Sequence, residues 1–267
     1  MKNKIYPCIW CNQNAEQIAA FYGSVLPQTE IIKTSENVVL LQMCGQNLML
    51  LNAPNKITLN PAISLMFISP DQQLIDNIWE ELLNEGNILM EKNKYPWSEN
   101  YGWIQDKFGV SWQLYTGAAP ENQQNMVPNL MFTQSMNGKA AEAADFYRSI
   151  FPDSEKRSMK LRENGEVEHG EFKILDYLLM IIDGGIGHNF SFNEGISFVI
   201  NCENQEEIDT YWNAFLANDA VEAQCGWLKD RYGISWQIIP QNLDELLQKP
   251  HAIHSFIQMK KIQINLL

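Results

Sequence analysis

A chain of 267 residues with 19 Lys and Arg against 32 Asp and Glu carries a formal charge of −13, so its surface repels phosphate backbones and anionic lipid. No apolar run approaches the length needed to span a bilayer, the first residues lack the apolar core and cleavage site of a signal peptide, and five cysteines without framework spacing agree with a reducing compartment. Two compact domains in the cytoplasm, with neither nucleic acid nor membrane as partner, are expected.

Residues 6–11 are short and apolar, as a strand is, and Asn12 or Asn14 offers a helix cap after them. Ile18, Phe21, Tyr22 and Val25 follow at helical spacing, and Pro27 forbids continuation. Residues 29–52, rich in Ile, Val, Leu and Met and broken at Cys44 and Gly45, predict three short antiparallel strands. The cycle restarts with a strand over 62–68, a helix from Asp71 carrying Ile75, Ile78, Trp79 and Leu82, and closing strands that include 103–105 and 111–115. Residues 117–128, made largely of Ala, Pro, Asn and Gln, read as a linker. The tail from Asn242 is predicted helical to Lys249 and broken at Pro250. It resumes as an apolar helix carrying Ile253, Phe256, Ile257 and Met259 that packs back on the body.

Much of this is said twice. Residues 101–113 (YGWIQDKFGVSWQ) return as 225–237 (CGWLKDRYGISWQ), 15–22 (AEQIAAFY) as 140–147 (AAEAADFY), and 63–67 (ISLMF) as 196–200 (ISFVI). Collinear matches make a duplication the economical explanation. The copies span 1–116 and 129–240, joined by the linker 117–128 and followed by the tail 241–267, and each contains two strand–helix–strands units. The second copy gains about eight residues between Pro152 and Ser197 and the first about nine between Trp79 and Gly102, so diverged function is expected in those insertions.

Residues 141–152 (AEAADFYRSIFP), 196–203 (ISFVINCE), 224–237 (QCGWLKDRYGISWQ) and 259–262 (MKKI) carry a resemblance to the PhnB-like family, known by an older name as the 3-demethylubiquinone-9 3-methyltransferase domain. That family lies within the glyoxalase/bleomycin-resistance, or vicinal oxygen chelate, superfamily. The second copy matches throughout and the first more loosely. The resemblance implies an α+β fold of two tandem glyoxalase-like domains, four βαβββ units in all with a helical tail. Units pair so that their strands curl into a cup that holds a ligand or a metal.

The resemblance also implies where metal ligands would lie: on the first strand, on the strand closing the first unit, at the start of the second unit's first strand, and as a Glu seven residues after the Asp of an Asp-x-x-Gly turn. Those places hold Ile9 and Trp10 or Met131 and Phe132, then Asn52 or Asp183, then Ala62 or Gly195, and finally Gln113 or Gln237. A neutral amide supplies no charge to hold a divalent cation against water, so no metal and no other cofactor is expected.

His169, just after an Asn164–Gly165 hairpin turn, is placed by simple alternation on the face of Val167. There it is a general base or donor to a ligand, or with equal weight a hydrogen-bonded histidine at a sheet edge. Cys225 is the thiol candidate if Lys229 or Arg231 lowers its pKa, although a buried small hydrophobe is the favoured reading. Trp103, Trp227 and Phe132 are candidates to line a cup, with Gln113 and Gln237 giving amide hydrogen bonds, while Trp112 and Trp236 read as core. Tyr95 and Trp97 form either a lid or a surface excursion. Cys8 and Cys11, three apart on a strand, point to opposite faces and make no redox or zinc site. Asp183 to Gly187 is not followed by a helix, so it is no phosphate loop. Nothing resembles a glycine-rich turn for S-adenosylmethionine either, and the methyltransferase name finds no support.

The leading expectation is a metal-independent small-molecule binder of sequestering or resistance type, with its ligand in the cup of the second copy. The alternative is a lyase, isomerase or dioxygenase of the same superfamily, using a metal or, without one, His169 and Cys225. A further reading makes the first copy the partner that completes an internal dimer, predicting a monomer in solution with a homodimer as the alternative.

Overall fold

A computed structural model describes residues 4–120 and 123–267; residues 121 and 122 of the expected linker lie outside the described residues. The first unit is β1 (Ile5–Cys11), α1 (Ala15–Val25), β2 (Glu30–Thr34), β3 (Val38–Met43) and β4 (Gln46–Asn52). The second is β5 (Ile63–Ser69), α2 (Gln72–Leu83), β6 (Asn87–Tyr95), β7 (Ser98–Gln105) and β8 (Ser111–Thr116). The second copy repeats the order with β9 (Met126–Phe132), α3 (Ala140–Ile150), β10 (Glu155–Leu161), β11 (Val167–Ile174) and β12 (Tyr177–Asp183). The fourth unit is β13 (Ile196–Cys202), α4 (Gln205–Leu216), β14 (Val221–Glu222), β15 (Trp227–Lys229) and β16 (Ser235–Pro240), and the tail carries α5 (Leu243–Leu246) and α6 (Ala252–Gln258). Among the described residues no helix is long and apolar enough to cross a membrane.

The sheets do not follow the copies. One runs β14-β15-β16-β13-β1-β4-β3-β2 and the other β10-β11-β12-β9-β5-β8-β7-β6. At the centre of the first, β1 and β13 pair antiparallel from Ile5 opposite Ile200; at the centre of the second, β5 and β9 pair from Ile63 opposite Leu130. Unit one therefore completes its sheet with unit four, and unit two with unit three. The expectation of one cup per copy is corrected: each hollow takes half of its walls from each copy.

What holds the two units of one copy together is a buried carboxylate. Asp106 Oδ2 accepts from Tyr22 Oη at 2.8 Å and Trp112 Nε1 at 3.1 Å, and its Oδ1 accepts from the backbone N–H groups of Phe108 and Val110 at 2.9 and 3.0 Å. Asp230 repeats this with Tyr147 and Trp236, both at 2.8 Å, and with the N–H groups of Tyr232 and Ile234. Gly109 and Gly233 take φ of +88° and +94° in the same turns, a region where a side chain is strained. The repeated Phe-Tyr helix, the Asp-x-x-Gly turn and the Trp three residues beyond are thus one buried lock between helix and sheet.

The largest apolar cluster joins all four main helices to one face of both sheets, with Trp112, Trp236, Phe67 and Phe198 at its centre. Strand alternation sends the other set of side chains to the opposite face of each sheet. Cys11 accordingly lies in the helix-side core while Cys8, across the strand, faces away from it. The tail packs back as expected, and its destination is the far face of the first sheet. Leu243, Phe256, Met259, Ile262 and Leu267 cover Tyr6, Cys8, Leu40, Val199 and Ile239 there. Backbone bonds from Cys225 N to Met259 O at 2.7 Å and from Gly226 N to Lys260 O at 2.8 Å fasten it. The first sheet is hereafter the covered sheet and the second the open sheet.

One local expectation fails. Asn14 sits at the start of α1 without capping it through its side chain, and the Ala15 N–H goes instead to Oδ1 of Asn52 at 3.1 Å.

Candidate functional site

The far face of the open sheet holds a hollow of about 830 Å³. Alternation supplies its floor: Met66 and Ile68 from β5, Asn129 and Met131 from β9, and Met180 and Ile182 from β12. Tyr101, Trp103, Gln113 and Tyr115 form one side. Both insertions noted in the sequence land here. The nine-residue β6 and the seven-residue β10 are the two edges of this sheet, whereas the corresponding edges of the covered sheet, β14 and β2, have two and five residues. The first insertion is an ordered hairpin. Tyr95 and Trp97 stack at its tip with centroids 5.1 Å apart, Tyr101 meets both edge-on, and Trp97 reaches the hollow.

The sequence candidates divide between the sheets. Trp103, Gln113 and His169 line the open hollow. Trp103 Nε1 donates to Ser111 Oγ at 2.7 Å, which fixes the indole. His169 reaches the hollow because the register of β11 against β10 shifts between Lys160 and Leu161, so that Glu168 bulges and Val167 turns to the helix-side core. The reading that placed His169 on the face of Val167 is corrected by that bulge. Its Nε2 lies 3.1 Å from Glu171 Oε1, and this hydrogen bond holds the Glu171 carboxyl below its ordinary value.

Cys225, Trp227 and Gln237 belong to the covered sheet and share no site with His169. Burial raises the Cys225 thiol. The two cations proposed to activate it are engaged elsewhere: Lys229 pairs with Glu194, and Arg231 donates to Tyr232 Oη and stacks on Phe146. Trp227 packs edge-on against Trp10 at 5.8 Å. Phe132 is fully buried on the helix side against Phe192 and Tyr232, and the alternation delivers its neighbour Met131 to the hollow in its place.

The metal positions can be tested by what their donors already do. Gln113 Oε1 accepts from Tyr101 Oη at 2.9 Å and its Nε2 donates to Ser64 Oγ at 2.6 Å; Gln237 Nε2 donates likewise to Ser197 Oγ at 3.0 Å. Asn52 serves α1, and Asp183 serves α3: its Oδ1 accepts from the N–H groups of Gly138 and Ala140, and its Oδ2 from that of Val167. The remaining places are apolar or glycine. This donor set is neutral or committed and does not fit a divalent cation.

Sequence reasoning missed two features. One is the basic stretch 155–162 (EKRSMKLR), which puts Arg157, Lys160 and Arg162 on the wall of the hollow, joined by Lys173 from β11. The run was visible, but its wall was not. The other is Asn129, a polar residue inside the apolar run of β9; it is buried in the floor, and its Oδ1 has no hydrogen-bond partner among the described residues.

Residues 3–115 and 124–239 each match the family model of 3-demethylubiquinone-9 3-methyltransferase. The chain belongs to this family. The PhnB protein of Bacillus cereus is 30% identical to this family member over 42% of the chain and 98% of its own length, with a TM-score of 0.41. Glyoxalase I from Zea mays, 12% identical, aligns over 92% of the chain and 98% of its own with a TM-score of 0.60, so the two share the doubled glyoxalase fold. No curated protein matches the chain.

Proposed function

We propose that the chain binds a small molecule without a metal, in the hollow of the open sheet between the second and third units. The observation that carries this reading is the asymmetry of the two hollows. One is filled by the chain's own tail, and the other is widened by both insertions and walled by rings, methionines and amides. Its volume suits a drug-sized ligand, about 300–1,000 Å³ being usual. This reading puts the site between the copies and not in the second alone. The family's methyltransferase name contributes nothing to it, since among the described residues the glycines after Asp183 lead into a loop and not a helix. All five cysteines are free thiols, which supports action in the cytoplasm, as a monomer whose two copies are already each other's partner.

A second reading rests on the His169–Glu171 pair at the wall: an imidazole oriented by a carboxylate is equipped for general base chemistry on whatever the hollow holds. Cys225 has no part in it.

The test is a ligand screen read by tryptophan fluorescence, repeated on Met180→Trp and Ile68→Trp, which fill the hollow. Hits should lose affinity in both variants and be indifferent to Zn, Ni, Mn or Fe. Stoichiometric metal accompanied by turnover overturns the metal-free reading; hits unaffected by both variants overturn the site.

A further inference from the structure

We infer that the ligand is an anion with a ring-bearing apolar body, its acidic group turned to the third unit and an N–H or O–H turned to Asn129. This deepens the proposed binding function and rests on it.

The hollow is polarised from side to side. The second unit contributes Met66, Ile68, Met90, Tyr101 and Trp103, and no charged side chain. The third contributes Arg157, Lys160, Arg162 and Lys173, in a chain whose net charge is −13. Three carboxylates share that wall, Glu168, Glu171 and Asp183, one fewer than the cations. Asp183 is turned to three backbone N–H groups of its own unit, Glu171 lies 3.1 Å from His169 and feels the Arg157 charge, and Glu168 pairs with Lys160 at 2.9 Å. Three further acids paired with these cations, Glu155, Glu166 and Asp176, stand outside the lining. Lys173 shows the consequence most clearly. Its side chain is only 13% exposed, while its carboxylate partner Asp176 is 79% exposed. An anion entering the drier hollow competes with the exposed Asp176 for Lys173 and meets cations in a medium where attraction is stronger than in water.

The floor sets the second requirement. Gln113 has both ends satisfied by Tyr101 and Ser64, whereas Asn129, which lies opposite Ser64 on β5 and Met180 on β12, keeps a buried acceptor without a donor. Such an atom has lost its water without gaining a partner, a cost that a ligand's donor removes. Among the floor residues it is the acceptor whose bond a ligand can supply.

Two fluorescent probes separate these terms. 1-Anilinonaphthalene-8-sulfonate and N-phenyl-1-naphthylamine share their rings and bridging N–H and differ by the sulfonate. On the full chain, the sulfonate should bind about tenfold tighter or better, and the advantage should shrink with added salt. It should disappear in Arg157→Gln/Lys173→Gln and, as a second variant on more exposed side chains, in Lys160→Gln/Arg162→Gln. Asn129→Leu should weaken both probes alike. Equal affinity of the two probes, both still sensitive to Met180→Trp, overturns the anion inference and leaves the binding site standing. Affinities unchanged by Met180→Trp and Ile68→Trp overturn the site itself. Unchanged affinity in Asn129→Leu removes the donor requirement.

Discussion

Asp106 and Asp230 each receive four hydrogen bonds, so replacing either by Asn turns a donor group toward other donors in a buried place. Asp230→Asn should cost about 2–3 kcal/mol in urea unfolding, the range for breaking a charge-assisted buried bond. The pH dependence has a definite sign. Burial raises the Asp230 carboxyl above its ordinary value, against the pull of its donors Trp236 and Tyr147. A raised folded value favours folding below the unfolded pKa, and that contribution is lost as pH rises through the folded one. The penalty of Asp230→Asn should therefore be largest in acid and decline as pH rises through the folded carboxyl's raised value. A penalty that grows toward alkaline pH would contradict the burial argument. The repeat made these residues easy to find, but it pointed equally to their neighbours. Only the coordinates separate Asp230, which locks the fold, from Gln237, which was read as a ligand contact and spends its amide on Ser197. His169 was misplaced for a simpler reason: a bulge of one residue inverts every later face of a strand, and bulges leave no mark in hydrophobic period.

At the scale of elements, the tail and the hairpins decide which hollow is free. The tail was legible as an apolar helix after Pro250, yet its stripe was not, because Ile253 is 59% exposed while Ala252 and Ile262 are fully buried. A helix of seven residues is too short for its period to fix a face, and docking does so instead. Ile262→Ala should cost about 2–4 kcal/mol in urea unfolding, while Ile253→Ala should stay within about 0.5 kcal/mol. Equal costs would mean that the tail is not seated on the covered sheet. The β6–β7 tip makes the opposite kind of prediction. Trp97 is half-exposed, and its ring meets Tyr95 and Tyr101 at the mouth of the hollow. Trp97→Ala should leave the unfolding midpoint almost unchanged, within about 1 kcal/mol, and weaken 1-anilinonaphthalene-8-sulfonate severalfold. Loss of stability without loss of affinity would make the tip a structural strut.

At the scale of the molecule, the four units could be read from local periodicity, whereas their pairing could not. β1 meets β13 across most of the chain, and strand partners that distant leave no local signature. The exchange has a consequence that a chain of two independent domains would not show. Within each copy the units are joined through helices and a buried Asp, while the central strand pair of each sheet is formed with the other copy. Cutting between residues 120 and 123 should therefore give two fragments that fold only together. Co-expressed 1–120 and 123–267 should purify as a one-to-one complex with the circular dichroism of the intact chain. Either fragment alone should self-associate through the bare edges of its first strands, β1 and β5 or β9 and β13. In the intact chain those edges are consumed; of the four outer edges that remain, β6 and β10 carry Lys92, Lys94, Lys156 and Lys160, and β2 and β14 are only five and two residues long, which discourages edge-to-edge pairing. Light scattering should accordingly report a monomer for the uncut chain. A folded monomeric 1–120 fragment would show that each copy can close its own sheet, and the placement of the hollow between copies would fall with it.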